Sequence, residues 1–386
     1  MMVRPEALFG QLRSAGIDFF AGVPDSLLKD FCAYITDHTE ESEHVITANE
    51  GNAVAMAAGH YLGTGRPALV YLQNSGLGNT VNPLLSLNDP EVYGLPVLLM
   101  IGWRGEPEVK DEPQHIKQGR VTPALLDAME IPWQILDSET EDPASVVATA
   151  MEQMRTTGGP AALLVRKGAF EGYTLQKNPQ SHYPLVREQA IHRLVDRMGP
   201  EDRVVATTGM PARELYEYRV ARGDGHGNDF LTVGSMGHTA SIALGLARSQ
   251  PQRRIICLDG DGSVLMHMGA LAIVGQSGQE NLIHVILNNG AHDSVGGQPT
   301  TGFEVDLAGV ARACGYRQAL MVSEPEAIDG AFAELLNEPG PSLLEIRVNK
   351  GARPDLGRPK STPAENRDAL MDGLGCQPLG AKGAGQ

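Results

Sequence analysis

The residues best suited to chemistry lie around positions 259–263. There an apolar run, Ile255-Ile256-Cys257-Leu258, gives way to Asp259-Gly260-Asp261-Gly262-Ser263 and then to the apolar Val264-Leu265-Met266. A strand that ends in such a turn and passes at once into a helix leaves free backbone amides, which favour phosphate oxygens. Gly260 and Gly262 let the backbone approach a ligand closely, and Asp261 offers a carboxylate to a cation that neutralises the phosphates. A second apolar run, 282–287, ends in Asn288-Asn289-Gly290 and supplies amide oxygens for a hard cation. A calcium loop competes, because Asp259, Asp261 and Ser263 have one-three-five spacing. It fails at position six, which is Val264 rather than Gly, and at position twelve, which is Ala270 rather than an acid. Taken alone, the segment also reads as a glycine-rich turn with an aspartate capping a helix.

Other candidates each have an ordinary structural reading. Glu50 follows a strand pattern and opens the small-residue stretch Gly51-Asn52-Ala53-Val54-Ala55-Met56-Ala57-Ala58-Gly59, where an acid complements the helix dipole. Asp25 follows a Gly-Val-Pro turn and has the setting of a helix N-cap. His115 and His292 read as loop histidines, and Met236 as core packing before a helix. Arg104, Lys117, Arg353 and Arg358 read one by one as solvated charges.

Strand patterns at 18–21, 44–48, 68–73, 96–102, 132–136 and 161–166 alternate with helical patterns such as 5–15, 52–61 and 143–155. This is the alternation of a parallel sheet wound on both faces. Polar residues and prolines interrupt it, and it resumes with strands at 203–207, 229–233, 254–258, 282–287, 317–322 and 342–348 and helices at 238–247 and 324–336. The expectation is two doubly wound α/β domains: 1–175, a linker at 176–187, and 188–350. A C-terminal extension follows at 351–386, disordered from about 373. The 386 residues suffice for two cores, and 42% hydrophobic with 20% charged residues is a soluble, globular balance. A net charge of −16 disfavours nucleic acid and anionic membrane as partners. Cys32, Cys257, Cys314 and Cys376 form no CxxC pair, which speaks against a zinc knuckle or a disulfide framework and fits a reducing cytoplasm. Neither a signal peptide nor a spanning apolar run is present in the sequence, so a cytoplasmic location is expected.

Gly260-Asp261-Gly262 followed by Asn288-Asn289 resembles the motif of thiamine diphosphate enzymes, in which Gly-Asp-Gly and Asn-Asn are separated by about one helix and one strand. The resemblance implies the thiamine diphosphate fold, with a pyrimidine-binding domain and then a diphosphate-binding one. It also implies Mg²⁺ held by the Asp261 carboxylate, the Asn289 side-chain oxygen and the Ala291 carbonyl, with Gly262 and Ser263 on the diphosphate. Gly234-Ser235-Met236-Gly237 is similar to the segment that shapes the coenzyme, implying Met236 as the wedge between its rings and the Gly234 carbonyl as acceptor for its 4′-amino group. Glu50 would bond to the pyrimidine N1′, favouring the imino tautomer that deprotonates the thiazolium C2.

Within that family, Val23-Pro24-Asp25-Ser26, Gln73-Asn74-Ser75-Gly76-Leu77-Gly78-Asn79, Gly102-Trp103-Arg104-Gly105-Glu106-Pro107, Asp111-Glu112-Pro113-Gln114-His115 and the segment from Gly290 to Gln298 resemble the phosphonopyruvate decarboxylases and the related sulfopyruvate decarboxylases. This resemblance runs to about Met371. It implies decarboxylation of a small anionic 2-oxo acid in a homodimer or larger assembly, with active sites at the subunit interface. Protonation after loss of CO₂ needs a donor, for which Asp25, His115 and His292 are candidates. The anionic head needs donors, for which Arg104, Lys117, Arg353 and Arg358 are candidates, with 353–359 folding over the site. The length leaves no room for the flavin-binding middle domain of acetohydroxyacid-synthase-like enzymes. A non-catalytic nucleotide-binding or scaffold protein is the alternative of another class. The absence of Gly-x-Gly-x-x-Gly spacing counts against it.

Overall fold

The computed structural model describes residues 2–140, 142–177 and 181–379. Its strands are β1 (Phe20–Gly22), β2 (His44–Ile46), β3 (Ala68–Gln73), β4 (Val97–Gly102), β5 (Trp133–Leu136), β6 (Ala161–Val165), β7 (Arg203–Ala206), β8 (Asp229–Leu231), β9 (Ile255–Gly260), β10 (Leu282–Asn288), β11 (Gln318–Val322) and β12 (Ser342–Arg347). They form two six-stranded sheets, ordered β2-β1-β3-β4-β6-β5 and β11-β12-β10-β9-β7-β8. Every described pairing between these strands is parallel. All twelve expected strands are present.

Runs such as Ala-Leu-Val-Tyr-Leu in β3 are apolar on both faces because helices cover both. In the first sheet, Leu69 and Tyr71 face a core shared with Leu8, Phe31 and Met154, while Val70 and Leu72 face one shared with Ala53, Ala57 and Leu126. In the second sheet, Val204 and Ile256 pack with Ile191, Leu215 and Phe332, whereas Val205 and Cys257 pack with Ala243, Leu271 and Ala311.

Both sheets have the same order: read from the opposite end, the second is β8-β7-β9-β10-β12-β11. Each therefore reverses direction between its first and third strands, β1/β3 and β7/β9. In open α/β sheets, ligand crevices form beyond the carboxyl ends at such switch points.

Two compact units result, Met1–Pro179 with His292–Pro299, and Gln180–Ala291 with Thr300–Gln386. The expected linker is more structured than its composition implied. The Gln176 and Lys177 amides donate to the Asp37 carboxylate, and Arg187 opens a helix, Arg187–Arg197, while pairing with Glu214 in the interior. Residues 178–180 lie outside the described residues.

The expectation of disorder from about 373 needs a similar correction. A capping box of Thr362 and Glu365 starts a helix, Pro363–Gly373, and the chain stays hydrogen-bonded as far as the Cys376 amide, 2.7 Å from the Met371 carbonyl. Residues 380–386 lie outside the described residues. The extension covers a sheet edge: the Asn366 side chain accepts from the Leu231 amide at 2.9 Å and donates to the Asp229 carbonyl at 2.8 Å. It thereby satisfies β8 as a further strand would. Among the described residues, no helix is long and apolar enough to cross a membrane.

Because both Asn366 bonds are buried, Asn366→Ala leaves two backbone groups unsatisfied and should cost about 1–3 kcal/mol. Urea denaturation measures this, and an unchanged midpoint would show that the extension does not close the edge.

Candidate active site

In the second unit, β9 runs on through Asp259 and Gly260, so the helix opens at Asp261 rather than Val264 and lasts only to Met266. Asp261 is 2% exposed. Its Oδ2 accepts from the Thr300 hydroxyl, and its Oδ1 lies 3.4 Å from the Asn289 amide. Burial pushes its pKa up to about 6, with those hydrogen bonds acting in the opposite direction. Among the described residues no cation pairs with it. A carboxylate buried in this way favours a bound metal ion.

The two adjacent asparagines have different tasks. Asn288 donates to the Gly302 carbonyl at 2.7 Å and to Glu345 Oε1 at 2.8 Å, so its amide group ties strands and loop together. Asn289 turns its Oδ1 toward the Ala291 amide at 3.2 Å. A Cβ on Gly302 would lie 2.7 Å from both Asn288 Oδ1 and Asp261 Oδ2, so only glycine lets this loop close against the acid. The donor set of Asp261, Asn289 and the Ala291 carbonyl is all oxygen and fits Mg²⁺.

Ser263 Oγ accepts from the Gly237 amide at 3.1 Å and from the Thr207 hydroxyl at 3.2 Å. With both acceptor positions used, its own proton is left for an anionic oxygen. Gly234, Ser235 and Gly237 have positive φ (70°, 50° and 87°), a run that turns the chain sharply after β8. Met236 at its apex is half-buried, so it is not a core residue.

In the first unit, Glu50 is the first residue of the helix Glu50–Thr64, whose cap is the Asn49 side chain. It is 5% exposed, accepts from Asn79 Nδ2 at 2.8 Å, and is raised in pKa by burial. A Cβ on Gly76 would fall 2.3 Å from its Oε1, so Gly76 is required where the chain crosses the carboxylate. Such a carboxyl is able to share a proton with a ring nitrogen.

Asp25, fully buried, follows β1. It accepts from Gln73 Nε2 at 2.6 Å and from the Leu27 amide at 2.9 Å, and burial raises its pKa. It caps a turn rather than the next helix, which starts at Lys29. The segment 73–79 therefore braces two buried acids, Asp25 through Gln73 and Glu50 through Asn79.

Arg104 binds Asp111 through Nε at 2.8 Å and through Nη2, while Nη1 donates to Ser26 Oγ at 2.7 Å. This fixes the guanidinium plane with N–H groups to spare. His115 lies in the first turn of the helix Pro113–Ala128, not in a loop. Its Nδ1 is buried without a hydrogen bond, and burial with the nearby Arg104 charge lowers its pKa to about 4. His292 is buried in a tight loop, also lowered to about 4 by burial. Lys117 is exposed on the helix that carries His115.

Arg353 and the expected lid require correction. Three carboxylates, Glu188, Glu217 and Asp355, pair with Arg353 and compensate its charge. Arg213 and Glu217 bind the backbone of Leu356 and Gly357, holding the segment against its own unit. Arg358 is exposed on the same stretch. Sequence reasoning missed Gln73, Asn79, Asp111 and Thr300 as positioning groups. Their partners lie 48, 29, 7 and 39 residues away.

Two parallel sheets, with an oxygen-lined acidic turn beyond one and a buried glutamate beyond the other, define a coenzyme-dependent enzyme of the two-domain thiamine diphosphate class. Residues 3–131 match the model described as thiamine pyrophosphate enzyme, N-terminal TPP binding domain, and residues 207–346 match the corresponding C-terminal TPP binding domain. The chain belongs to the thiamine pyrophosphate enzymes, in the branch that holds the phosphonopyruvate and sulfopyruvate decarboxylases. It is 36% identical to the phosphonopyruvate decarboxylase of Streptomyces viridochromogenes, over 94% of this chain and 93% of the relative. Identity to the phosphonopyruvate decarboxylase of Streptomyces hygroscopicus is 35%, over 94% and 92%. The sulfopyruvate decarboxylase of Methanosarcina acetivorans is 30% identical, over 88% and 90%.

Glu50→Gln should leave the fold intact and remove most turnover; near-normal turnover in saturating coenzyme would exclude Glu50 from proton sharing. A second test uses pH. His115 titrates at 6.5 when unfolded and at about 4 when folded, so the stability tied to its neutral form is complete above 6.5 and lost as pH falls through 4. Wild type should therefore lose more stability than His115→Gln between pH 6.5 and 4, and parallel urea midpoints would contradict the shift.

Proposed function

We propose that this enzyme decarboxylates 3-phosphonopyruvate to phosphonoacetaldehyde and CO₂, with thiamine diphosphate and Mg²⁺. The supporting observation is the near-complete overlap with two phosphonopyruvate decarboxylases at 35–36% identity. A guanidinium held rigid beside a buried acid agrees with it.

Thiamine diphosphate, when bound, supplies a carbanion nucleophile and an electron sink. Glu50 holds the proton shared with the pyrimidine. Asp261, Asn289 and the Ala291 carbonyl hold Mg²⁺, and Gly262 and Ser263 contact the diphosphate. Gly234 and Met236 set the shape of the coenzyme. Arg104, fixed by Asp111 and Ser26, takes the phosphonate, and Lys117 and Arg358 are weaker candidates for the same role. The bond from the carboxyl carbon to the keto carbon breaks, CO₂ leaves, and the former keto carbon takes a proton while the C–P bond survives. Asp25 is the leading donor, because burial favours its protonated form. His115 and His292 are held as neutral imidazoles by burial and so lack the imidazolium proton that a donor would give.

Sulfopyruvate is the second reading, supported by the 30% identical relative. We also propose a homodimer or larger assembly in which subunits complete each other's sites; a fully active monomer by sedimentation would refute this. CO₂ release from phosphonopyruvate should exceed that from sulfopyruvate and from pyruvate by at least about tenfold in kcat/KM, and equal or reversed rates would overturn the assignment. Arg104→Ala should raise KM for phosphonopyruvate about 10- to 100-fold, as expected when one charge-assisted contact is lost. An unchanged KM would remove Arg104 from substrate binding.

A further inference from the structure

A group of chemically active residues lies outside the coenzyme machinery, inside the second sheet. Cys257 and Asp259 alternate along β9, and His284 lies directly opposite Cys257 on β10. Residues i and i+2 of a strand share a face, and so do register partners, so all three side chains project to the same side. They are at most 1% exposed. One donor atom of each, a thiol sulfur, a carboxylate oxygen and an imidazole nitrogen, lies within 4.8 Å of the other two.

This arrangement leaves polar groups incompletely satisfied in an apolar layer that includes Ile286, Leu343 and Ala308. Asp259 Oδ1 accepts from the Gly260 amide at 3.0 Å. Its Oδ2 is 3.5 Å from His284 Nε2, which is buried and makes no hydrogen bond. The opposite ring nitrogen, Nδ1, is 3.3 Å from the Tyr316 hydroxyl. With its proton on Nδ1, shared with that hydroxyl, the imidazole would present an Nε2 lone pair on the side of Asp259. Metal-binding histidines are typically oriented in this way by an outer partner.

We propose that Cys257, Asp259 and His284 form a structural site for a divalent transition metal of the zinc class, separate from the oxygen-lined Mg²⁺ position at Asp261. The sulfur, nitrogen and oxygen donor set selects zinc over magnesium. Tetrahedral zinc holds such donors about 3.5 Å apart, so side-chain movement of about 1 Å closes the group around the ion. Binding displaces the Cys257 proton, and the ion compensates the Asp259 carboxylate. It clamps β9 to β10 immediately before Gly260 and Asp261, fixing the strand end that carries the coenzyme turn.

The test uses untagged full-length protein, produced with zinc present and saturated with Mg²⁺ and thiamine diphosphate, with metal content read by mass spectrometry. The wild type should hold about one zinc per chain. Cys257→Ala and His284→Gln should each fall below about a tenth of that, whereas Asp261→Ala should keep its zinc. Exchange with Co²⁺ should give a thiolate-to-cobalt charge-transfer band in the wild type that Cys257→Ala lacks. Background zinc in the wild type, no cobalt band, or zinc retained in both Cys257→Ala and His284→Gln would overturn the proposal. If those two variants fail to fold, zinc content and the cobalt band of the wild type decide it.

Discussion

Three carboxyl groups, Asp25, Glu50 and Asp261, are buried, and burial raises the pKa of each. None has an ion-pair partner among the described residues. Removing a carboxylate from water without a paired cation costs several kcal/mol, and much of the local architecture limits that cost. Gln73 and Asn79 supply side-chain amides, the Leu27 and Asn289 main chain supplies N–H groups, and Thr300 supplies a hydroxyl. Each acid therefore keeps some unmet demand for a proton or a cation.

Close approach is the second consequence. Beside each acid a stretch of neighbouring backbone comes so close that a Cβ would not fit. A Cβ would lie 2.3 Å from Glu50 Oε1 at Gly76, 2.1 Å from Asp25 Oδ2 at Gly102, and 2.7 Å from Asp261 Oδ2 at Gly302. These glycines are spaces through which the backbone passes an acid, and they need no unusual φ for that purpose.

The repeated sheet order explains where the acids lie. β1 and β3 deliver Asp25 and the Gln73–Asn79 segment, and β7 and β9 deliver Thr207 and Asp261, each pair flanking its switch point. Helices diverge to opposite faces there, and the strand ends are left uncovered. Two copies of one topology thus present different groups, a buried glutamate beyond one sheet and an oxygen-lined acidic turn beyond the other.

Much was legible in the sequence because it was local. Short apolar stretches alternating with helical patterns mark all twelve strands, and Gly-Asp-Gly with Asn-Asn points to the coenzyme class, since each half of that motif is contiguous in the chain. Long-range pairing was invisible. The extension was expected to be disordered from about 373 and gave no sign of a partner before that, yet Asn366 completes the β8 edge and the chain stays hydrogen-bonded as far as Cys376. Arg353 looked like a free cation, yet its charge is met by Glu188 and Glu217, more than a hundred residues away. Cys257 belongs to no cysteine pair in the sequence, and only the β9/β10 register brings it beside His284. Local patterning thus determined the strands and the coenzyme motif. Which acids lack counter-ions, which cations are already satisfied and which residues meet across a sheet depended on tertiary packing, because burial and register are properties of the assembled chain.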